Sequence, residues 1–326
     1  MKWMLDVNIT SPDKLITYHD KLFLIGSCFT EHIGKRLEDL KFPVLQNPHG
    51  ILFDPISVSK SINAYLSQKV YEESDLFFLN ELWQSWNHHS QFSGMDAREV
   101  LKNINASQQR AYQHLVESTW LIITLGSSYS YQLKENGQPV ANCHRAPGQW
   151  FSKHLLSTEE TTLALAESID NLMQINPGIQ IIFTISPVRH IRDGVVENNR
   201  SKARLIEAVH SLTEQYKQVH YFPAYELVID VLRDYRYFDV DLVHPNYAAT
   251  EFVFEKFEEN FINHHTREVM DTIKKVVTGY KHKPFNPDTQ AHRSFLQSHL
   301  EKVKALQLQH PQLNFSKELI YFSTGK

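Results

Sequence analysis

Residues 22–39 of the chain read LFLIGSCFTEHIGKRLED, and this stretch decides the fold. Leu22 to Ile25 form a continuous apolar run, which predicts a short strand buried on both faces. Apolar residues then recur at helical spacing, which predicts a helix directly after the strand. A sharp turn at Gly26 would place Ser27 at the carboxyl end of the strand and the amino end of the helix.

This position is where open α/β sheets bind their ligands, and the amide groups of a helix amino terminus stabilise negative charge. We therefore predict that Ser27 is a nucleophile and that its N–H helps to hold an oxyanion. Cys28 is the alternative, because a helix amino terminus favours a thiolate. We rank Cys28 second, since the residue after the nucleophile in this geometry tends to point into the fold.

A second candidate segment, DVDLVHP, covers residues 239–245. Asp241 and His244 are three residues apart in a predicted loop, so the carboxylate can fold back onto one imidazole nitrogen and fix the tautomer. The other nitrogen is then free to take a proton from a serine. Pro245 suits the first position of a following helix. The predicted hydrogen-bond chain runs from Ser27 to His244 to Asp241.

These two segments resemble the GSCFA-domain family of the SGNH (GDSL-like) hydrolase clan. The resemblance extends from Leu22 to the helix after Pro245, and it includes four further motifs in the same order: 47–55, 124–126, 142–144 and 186–189. It implies a three-layer α/β/α sandwich with a five-stranded, mostly parallel sheet. It also implies a nucleophile after the first strand and an Asp-x-x-His pair near the end of the domain.

The resemblance further implies an oxyanion hole. In the clan, a glycine in the loop after the second strand contributes an N–H, and Gly50 matches that role. The clan usually follows its third strand with Gly-x-Asn-Asp, but this chain has GSSY at 126–129, so the asparagine is missing. Ser128 is one replacement donor. Asn142, which a predicted hairpin brings back to the same rim, is another.

Three more residues are candidates for contact with substrate. His144 follows Asn142 at the exit of the hairpin, where the alternative is a polar group that caps backbone. Arg189 offers a planar donor pair to an anionic group, as Lys202 offers a point charge, although ion pairing with Asp193 or Glu197 explains Arg189 equally well. His89 lies in a segment that resembles a family element.

Composition excludes several classes of function. The net charge is −4, with 42% hydrophobic and 21% charged residues, so nothing favours nucleic-acid or membrane-surface binding. The amino terminus shows no signal-peptide core and no run approaches a membrane span, so we expect a cytoplasmic protein. Cys28 and Cys143 are predicted to be free thiols. The paired histidines lack the spacing of a helical zinc site, so no metal or organic cofactor is predicted.

Strands alternate with helices along the chain, which by itself favours a doubly wound parallel sheet. We predict an α/β domain over residues 1–265, with an aromatic insertion at 72–98 and a hairpin region at 127–150. A helical extension at 266–326 follows, with an apolar stripe that is expected to pack on the parent domain. The alternative is a dimer contact, so the predicted state is a monomer or a weak homodimer.

The function predicted from these features is hydrolysis of an ester bond in a small acylated substrate, either carbohydrate-like or a cell-wall precursor. An O-acyltransferase with the same triad is one alternative, because the same chemistry passes an acyl group to water or to another hydroxyl. A second is a binding protein that keeps the fold after its catalytic site has decayed, which the missing asparagine favours.

Overall fold

The computed structural model describes residues 4–325. Residues 1–3, which belong to the segment in which we predicted no signal peptide, and residue 326, the last of the predicted extension, lie outside the described residues. No helix within residues 4–325 is long and apolar enough to cross a membrane.

A five-stranded sheet forms the centre of the molecule, with strand order β10-β9-β5-β1-β2. Every pairing in it is parallel, so the carboxyl ends of all its strands meet at one edge. The sheet strands are β1 (Leu22–Gly26), β2 (Val44–Gln46), β5 (Trp120–Leu125), β9 (Gln180–Ile185) and β10 (Val219–Phe222). The prediction of an α/β fold on a five-stranded parallel sheet is confirmed.

Helices cover both faces of this sheet, because successive residues of a buried strand point to opposite sides. Leu22 and Leu24 of β1 belong to one core cluster, whereas Phe23 and Ile25 belong to the other. The Leu22 side packs against α1 (Cys28–Asp39), α7 (Tyr247–Phe261), α8 (His264–Lys281), α9 (Gln290–Gln309) and α10 (Ser316–Thr324). The Phe23 side packs against α2 (Pro55–Leu66), α3 (Ala97–Glu117), α4 (Thr158–Ile175) and α5 (Val195–Gln215).

Two small antiparallel sheets lie outside the central one. The predicted hairpin forms between β6 (Tyr129–Leu133) and β7 (Pro139–Val140), and β8 (Phe151–Leu155) adds a third strand that we did not predict. The aromatic segment at 72–98 contains a second hairpin, β3 (Phe77–Leu79) with β4 (Leu82–Gln84). Its aromatic residues pack against α3 and against the β6–β8 sheet.

Three local predictions differ from the structure. The sequence favours an edge strand at Leu5 to Ile9, but this segment pairs with no neighbouring strand. The sequence also predicts a helix from Ala224 to Arg233, where the structure has a short α6 (Ala224–Glu226) that continues as a π-helix (Leu227–Leu232). The helix expected to begin at Pro245 begins at Tyr247, because the Asn246 side chain caps it.

Candidate active site

The turn after β1 is fixed by two neighbouring segments. Gly26 has φ +148°, and a Cβ atom there would lie 2.2 Å from Thr124 O on β5, so only glycine fits. The Gly26 N–H donates to Asn47 Oδ1 at 2.9 Å. The next amide, that of Ser27, donates to Thr124 O at 3.0 Å. The turn is therefore held between the ends of β5 and β2 at the carboxyl edge of the sheet.

Ser27 is the residue that caps α1. Its Oγ accepts a hydrogen bond from the Phe29 N–H at 3.3 Å, and only 3% of the residue is exposed. Because its own N–H is bonded to Thr124, the Ser27 amide is not available to an oxyanion. This corrects the sequence-based expectation for that amide.

Cys28 is the first residue of α1 and is half-buried. It lines a cavity of about 1110 Å³ that α1 forms with the Asp239–Pro245 loop, α7 and α8. Burial raises the pKa of the Cys28 thiol and nearby Glu31 raises it further, while the first amides of the helix act in the opposite direction. The Cys28 N–H belongs to the amides at a helix start that have no partner within the helix.

The Asp241–His244 pair has the geometry expected from its spacing. His244 Nδ1 lies 2.6 Å from Asp241 Oδ2. The other carboxylate oxygen, Oδ1, accepts from the amides of Val243 at 2.9 Å and His244 at 3.0 Å. These bonds, led by the His244 amide, lower the pKa of Asp241 to about 2, so the carboxylate is ionised at neutral pH. Ionised Asp241 holds the proton on Nδ1 and leaves Nε2 free to accept another.

Arg189 anchors the loop that carries this pair. Its Nη1 donates to Leu242 O at 3.1 Å, and its amide donates to Val243 O at 3.3 Å. The guanidinium also lies 4.2 Å from the centre of the Phe238 ring. Arg189 was predicted to bind an anionic substrate group. In the structure its contacts are with the loop, which gives it a positioning role beside the site.

The turn and the loop lie on the same edge but are not joined by a hydrogen bond. One cavity is lined by Cys28 from the turn and by Asp239 and Pro245 from the loop. The charge of His244 also helps to lower the pKa values of His32 on α1 and His190 after β9. Within residues 4–325, neither Ser27 nor Cys28 bonds to His244. The structure thus forms the His244–Asp241 half of the predicted chain and leaves the nucleophile half open.

Gly50 is required for a reason other than the one predicted. It has φ +82°, and a Cβ atom there would lie 2.2 Å from the Cβ atom of His89. Its N–H donates to Asn47 O at 2.7 Å, and the His89 N–H donates to His49 O at 2.9 Å. The Gly50 amide is therefore used inside its own loop, and His89 packs on that loop.

Ser128 does not reach the site either. It is fully buried, its N–H donates to Ser201 Oγ at 2.7 Å, and its hydroxyl donates to Ser201 O at 3.1 Å. Both donors of Ser128 are therefore bonded to α5 and not left for an oxyanion in place of the missing asparagine.

Asn142 and His144 close the hairpin exit. Asn142 Oδ1 accepts from the His144 N–H at 2.9 Å, and His144 Nε2 lies 2.8 Å from Ser85 O. The His144 ring is buried against Phe77 and Trp86. These contacts match the capping alternative, and they place both residues in the packing of the small sheets.

Lys202 is a buried residue at the site, and its burial was not predicted from the sequence. Its Nζ donates to Gly126 O and to Ser186 O, both at 2.6 Å, at the ends of β5 and β9. Burial lowers its pKa to about 7, and Cys28 acts in the opposite direction. The signal was present, because Lys202 shares the helical spacing of Leu205, Val209 and Leu212, which form the buried stripe of α5.

One exposed group has metal-ligand spacing. Single ligand atoms of His264, His265 and Glu268 lie within 4.8 Å of one another at the start of α8. All three residues are exposed, and exposed acidic groups commonly lie near histidines without a metal. The cluster is therefore no more than a local ion pairing on the surface of α8.

Comparison with known proteins gives two family matches. The model of the GSCFA family matches residues 21–257, and the model of the GSCFA domain protein, C-terminal domain, matches residues 273–324. A search of curated proteins found no match. Among solved structures, the chain is similar to an acetyl xylan esterase (Est2A) from the rumen bacterium Butyrivibrio proteoclasticus, with 12% identity and a TM-score of 0.39. That similarity covers 76% of this chain and spans 64% of the length of the esterase.

Proposed function

The chain belongs to the GSCFA family, and from this premise we propose that it hydrolyses an ester bond of a small acylated, carbohydrate-like substrate. The observation that carries the proposal is the Asp241–His244 pair. His244 Nδ1 lies 2.6 Å from Asp241 Oδ2, and His244 Nε2 is left free at the carboxyl edge of the sheet. An imidazole fixed in this way serves as a general base and then as a general acid. The turn at 26–28 supplies the nucleophile and the helix amino terminus beside it.

The proposed reaction has two steps. His244 Nε2 takes the proton of the nucleophile, which attacks the ester carbonyl, and the same nitrogen returns the proton to the leaving alcohol. His244 then activates a water molecule that releases the acid. The Cys28 N–H stabilises the oxyanion in both steps. The first amides of a helix have no partner within the helix, so they can donate to a negative charge without a change of conformation.

The polarity of the cavity supports a sugar-like substrate. Its walls carry four cationic and four anionic side chains, and some of them are paired: Lys35 Nζ and Lys281 Nζ lie 3.1 and 2.6 Å from the two oxygens of Asp39. Such a surface offers many hydrogen-bonding groups and no net charge to attract an ion. An acylated polyol or sugar fits this chemistry better than a long-chain lipid does.

The test is hydrolysis of p-nitrophenyl acetate by the purified full chain. His244→Ala is expected to lower the rate by about 10²–10⁴-fold, and Asp241→Asn is expected to lower it as well, because the imidazole loses its fixed tautomer. His265→Ala is the matched control, since that side chain is 89% exposed on α8. A rate that is the same in wild type, His244→Ala and His265→Ala would refute the proposal.

A binding protein without turnover is the second candidate. The amides of Ser27 and Gly50 and both donors of Ser128 are bonded elsewhere, so these predicted donors of the oxyanion hole are already used. Loss of one such donor costs enzymes about 10²–10³-fold in rate. Saturable binding of an acylated sugar, with no release of acid over many hours, would favour this candidate. Release that depends on an added alcohol would instead identify an acyltransferase.

A further inference from the structure

Two neighbouring side chains compete for the role of nucleophile in this site, and the structure separates them. Ser27 is 3% exposed, its Oγ caps α1, and its N–H is bonded to β5. Each of these contacts would have to be given up for Oγ to attack a substrate. Cys28 is half-buried, its thiol interacts with the amides of Cys28 and Phe29 at the helix start, and it lines the cavity that also reaches the loop of His244.

We propose that Cys28 is the nucleophile of this site and that Lys202, buried at the carboxyl ends of β5 and β9, is a positioning residue that favours the thiolate. The inference rests on the proposed acyl-ester hydrolysis and assigns its reacting atom. Ser27 then acts as the cap that holds the helix start, and with it the Cys28 thiol, in place.

The buried ammonium of Lys202 distinguishes Cys28 from a buried cysteine that has only a structural role. Lys202 is 1% exposed, and its Nζ is bonded to two main-chain carbonyls, Gly126 O and Ser186 O. An ammonium has three N–H donors, so one remains. Within the described residues no carboxylate bonds to it. A Cys28 thiolate interacts favourably with its charge, whereas that charge lowers the pKa of His190. A buried ammonium without a carboxylate partner is compensated when the neighbouring thiol ionises.

Other charged groups also face the thiol, and they enter any dependence on pH. Burial raises the pKa of Cys28 and Glu31 raises it further, so the thiol is protonated at neutral pH and a base must remove its proton. The charged or titratable groups that border Cys28 or its cavity come from five parts of the fold. They are Glu31, His32, Lys35, Arg36 and Asp39 on α1, Lys202 on α5, Asp239 and His244 on the loop, Tyr247 and Glu251 on α7, and Lys274 and Lys281 on α8.

The proposed reaction consumes an ester and water. His244 Nε2 accepts the proton from Sγ, and Sγ forms a bond to the carbonyl carbon as the bond from that carbon to the alcohol oxygen breaks. The alcohol leaves with the proton from His244. Water then attacks the thioester and gives its proton to His244, and the carboxylic acid leaves as Sγ takes the proton back. No oxidant or cofactor enters this balance.

The decisive measurement locates the acyl group. The protein is mixed with p-nitrophenyl acetate, quenched in acid and digested with trypsin, and the peptide of residues 22–35, which contains both side chains, is fragmented by mass spectrometry. We expect acetyl on Cys28, removable by neutral hydroxylamine. The rate of Cys28→Ala is expected to fall by about 10²-fold or more. Cys143→Ser, the other cysteine of the chain, is the control.

The Ser27→Ala variant distinguishes Cys28 from Ser27 as the nucleophile. Loss of the cap is expected to lower thermal stability but to keep the rate within about tenfold of wild type. Acetyl on Ser27, or a rate lost in Ser27→Ala and kept in Cys28→Ala, would overturn the assignment of Cys28 and leave the hydrolase proposal intact. If the wild type shows no hydrolysis, the hydrolase proposal fails. The reactivity of the Cys28 thiol is then measured independently by its rate of alkylation.

Lys202 is tested by the pH dependence of alkylation with iodoacetamide, in a Cys143→Ser background where Cys28 is the only thiol. Lys202→Gln keeps N–H donors for the two carbonyls but removes the charge, so the profile is expected to move to higher pH. Lys202→Arg keeps the charge and is expected to restore part of the shift. Profiles that coincide in wild type and Lys202→Gln, with only stability lowered, would show that Lys202 is merely structural.

Discussion

At the scale of single residues, His49 shows how a buried polar side chain fixes the loop beside the site. Its Nδ1 lies 3.2 Å from Ser61 Oγ on α2, and its Nε2 lies 2.9 Å from Gln108 Oε1 on α3. The amide oxygen of Gln108 only accepts, so Nε2 carries the proton and Nδ1 accepts from the serine. The ring thus ties the loop at 47–50 to two helices, and burial lowers its pKa to about 3.

Replacing His49 with alanine is expected to lower the free energy of unfolding by about 2–4 kcal/mol, because two buried hydrogen bonds are lost and a cavity forms. The measurement is urea denaturation at pH 7.5, with the exposed His265→Ala as the control. The pKa in the folded state lies below the ordinary value of 6.5, so the contribution of His49 is present above pH 6.5 and is lost as the pH falls towards 3. A difference between variant and wild type that stays constant over this range would contradict the assignment.

At the scale of elements, the start of α2 carries a buried charge. Asp54 caps the helix, with Oδ1 accepting from the Ser57 N–H at 3.0 Å, and the residue is buried. Burial raises its pKa to about 6, although the bonds from Ser57 act in the opposite direction. The cap therefore stabilises α2 while its charge is unfavourable at neutral pH.

Asp54→Asn keeps the cap and removes the charge. Because the pKa of Asp54 is higher in the folded state than its ordinary value of 3.8, its stabilising contribution is complete below pH 3.8 and is lost as the pH rises through 6. We expect the variant to gain stability relative to wild type between pH 4.5 and pH 7.5, measured by thermal unfolding. Asp96→Asn is the matched control, since Asp96 caps α3 in the same way but is exposed. An equal response of the two variants to pH would contradict the argument.

At the scale of the whole molecule, the carboxyl-terminal helices complete the core on one face of the central sheet. Phe315 and Phe322 belong to the same buried cluster as Leu22 and Leu24 of β1. Next to them, Lys41 Nζ lies 2.6 Å from Glu318 Oε1, and both side chains are nearly buried. The segment matched by the C-terminal family model is therefore part of one hydrophobic core with the segment that carries the site.

Phe315→Ala is expected to lower the free energy of unfolding of the whole chain by about 3–5 kcal/mol, because it leaves a cavity in this shared core. Calorimetry should show one transition at a lower temperature, with hydrolysis of the aryl ester lost in the same transition. Phe285→Ala is the control, since Phe285 is 98% exposed. Two separate transitions, with only the smaller one affected, would mean that the carboxyl-terminal helices fold as an independent unit.

Features with a local cause could be predicted from the sequence. The apolar runs of β1, β5 and β9 indicated buried parallel strands, and Asn136-Gly137 indicated the hairpin between β6 and β7. The Asp241–His244 bond was predicted because its partners are three residues apart. In each case the atoms that interact are close in the chain, so the residue types and their spacing are enough to place them.

Features with a distant cause required the tertiary structure. Ser128 bonds to Ser201, Lys202 bonds to Gly126, and the Ser27 N–H bonds to Thr124, all across long separations in the chain. The sequence by itself determined the fold class and predicted that chemistry takes place at the turn after β1. Only the tertiary structure decided which donors at that turn are already used and which side chain faces the cavity. The physical reason is that a hydrogen bond to a neighbouring strand or helix removes a group from the site, and its partner is set by how the elements pack.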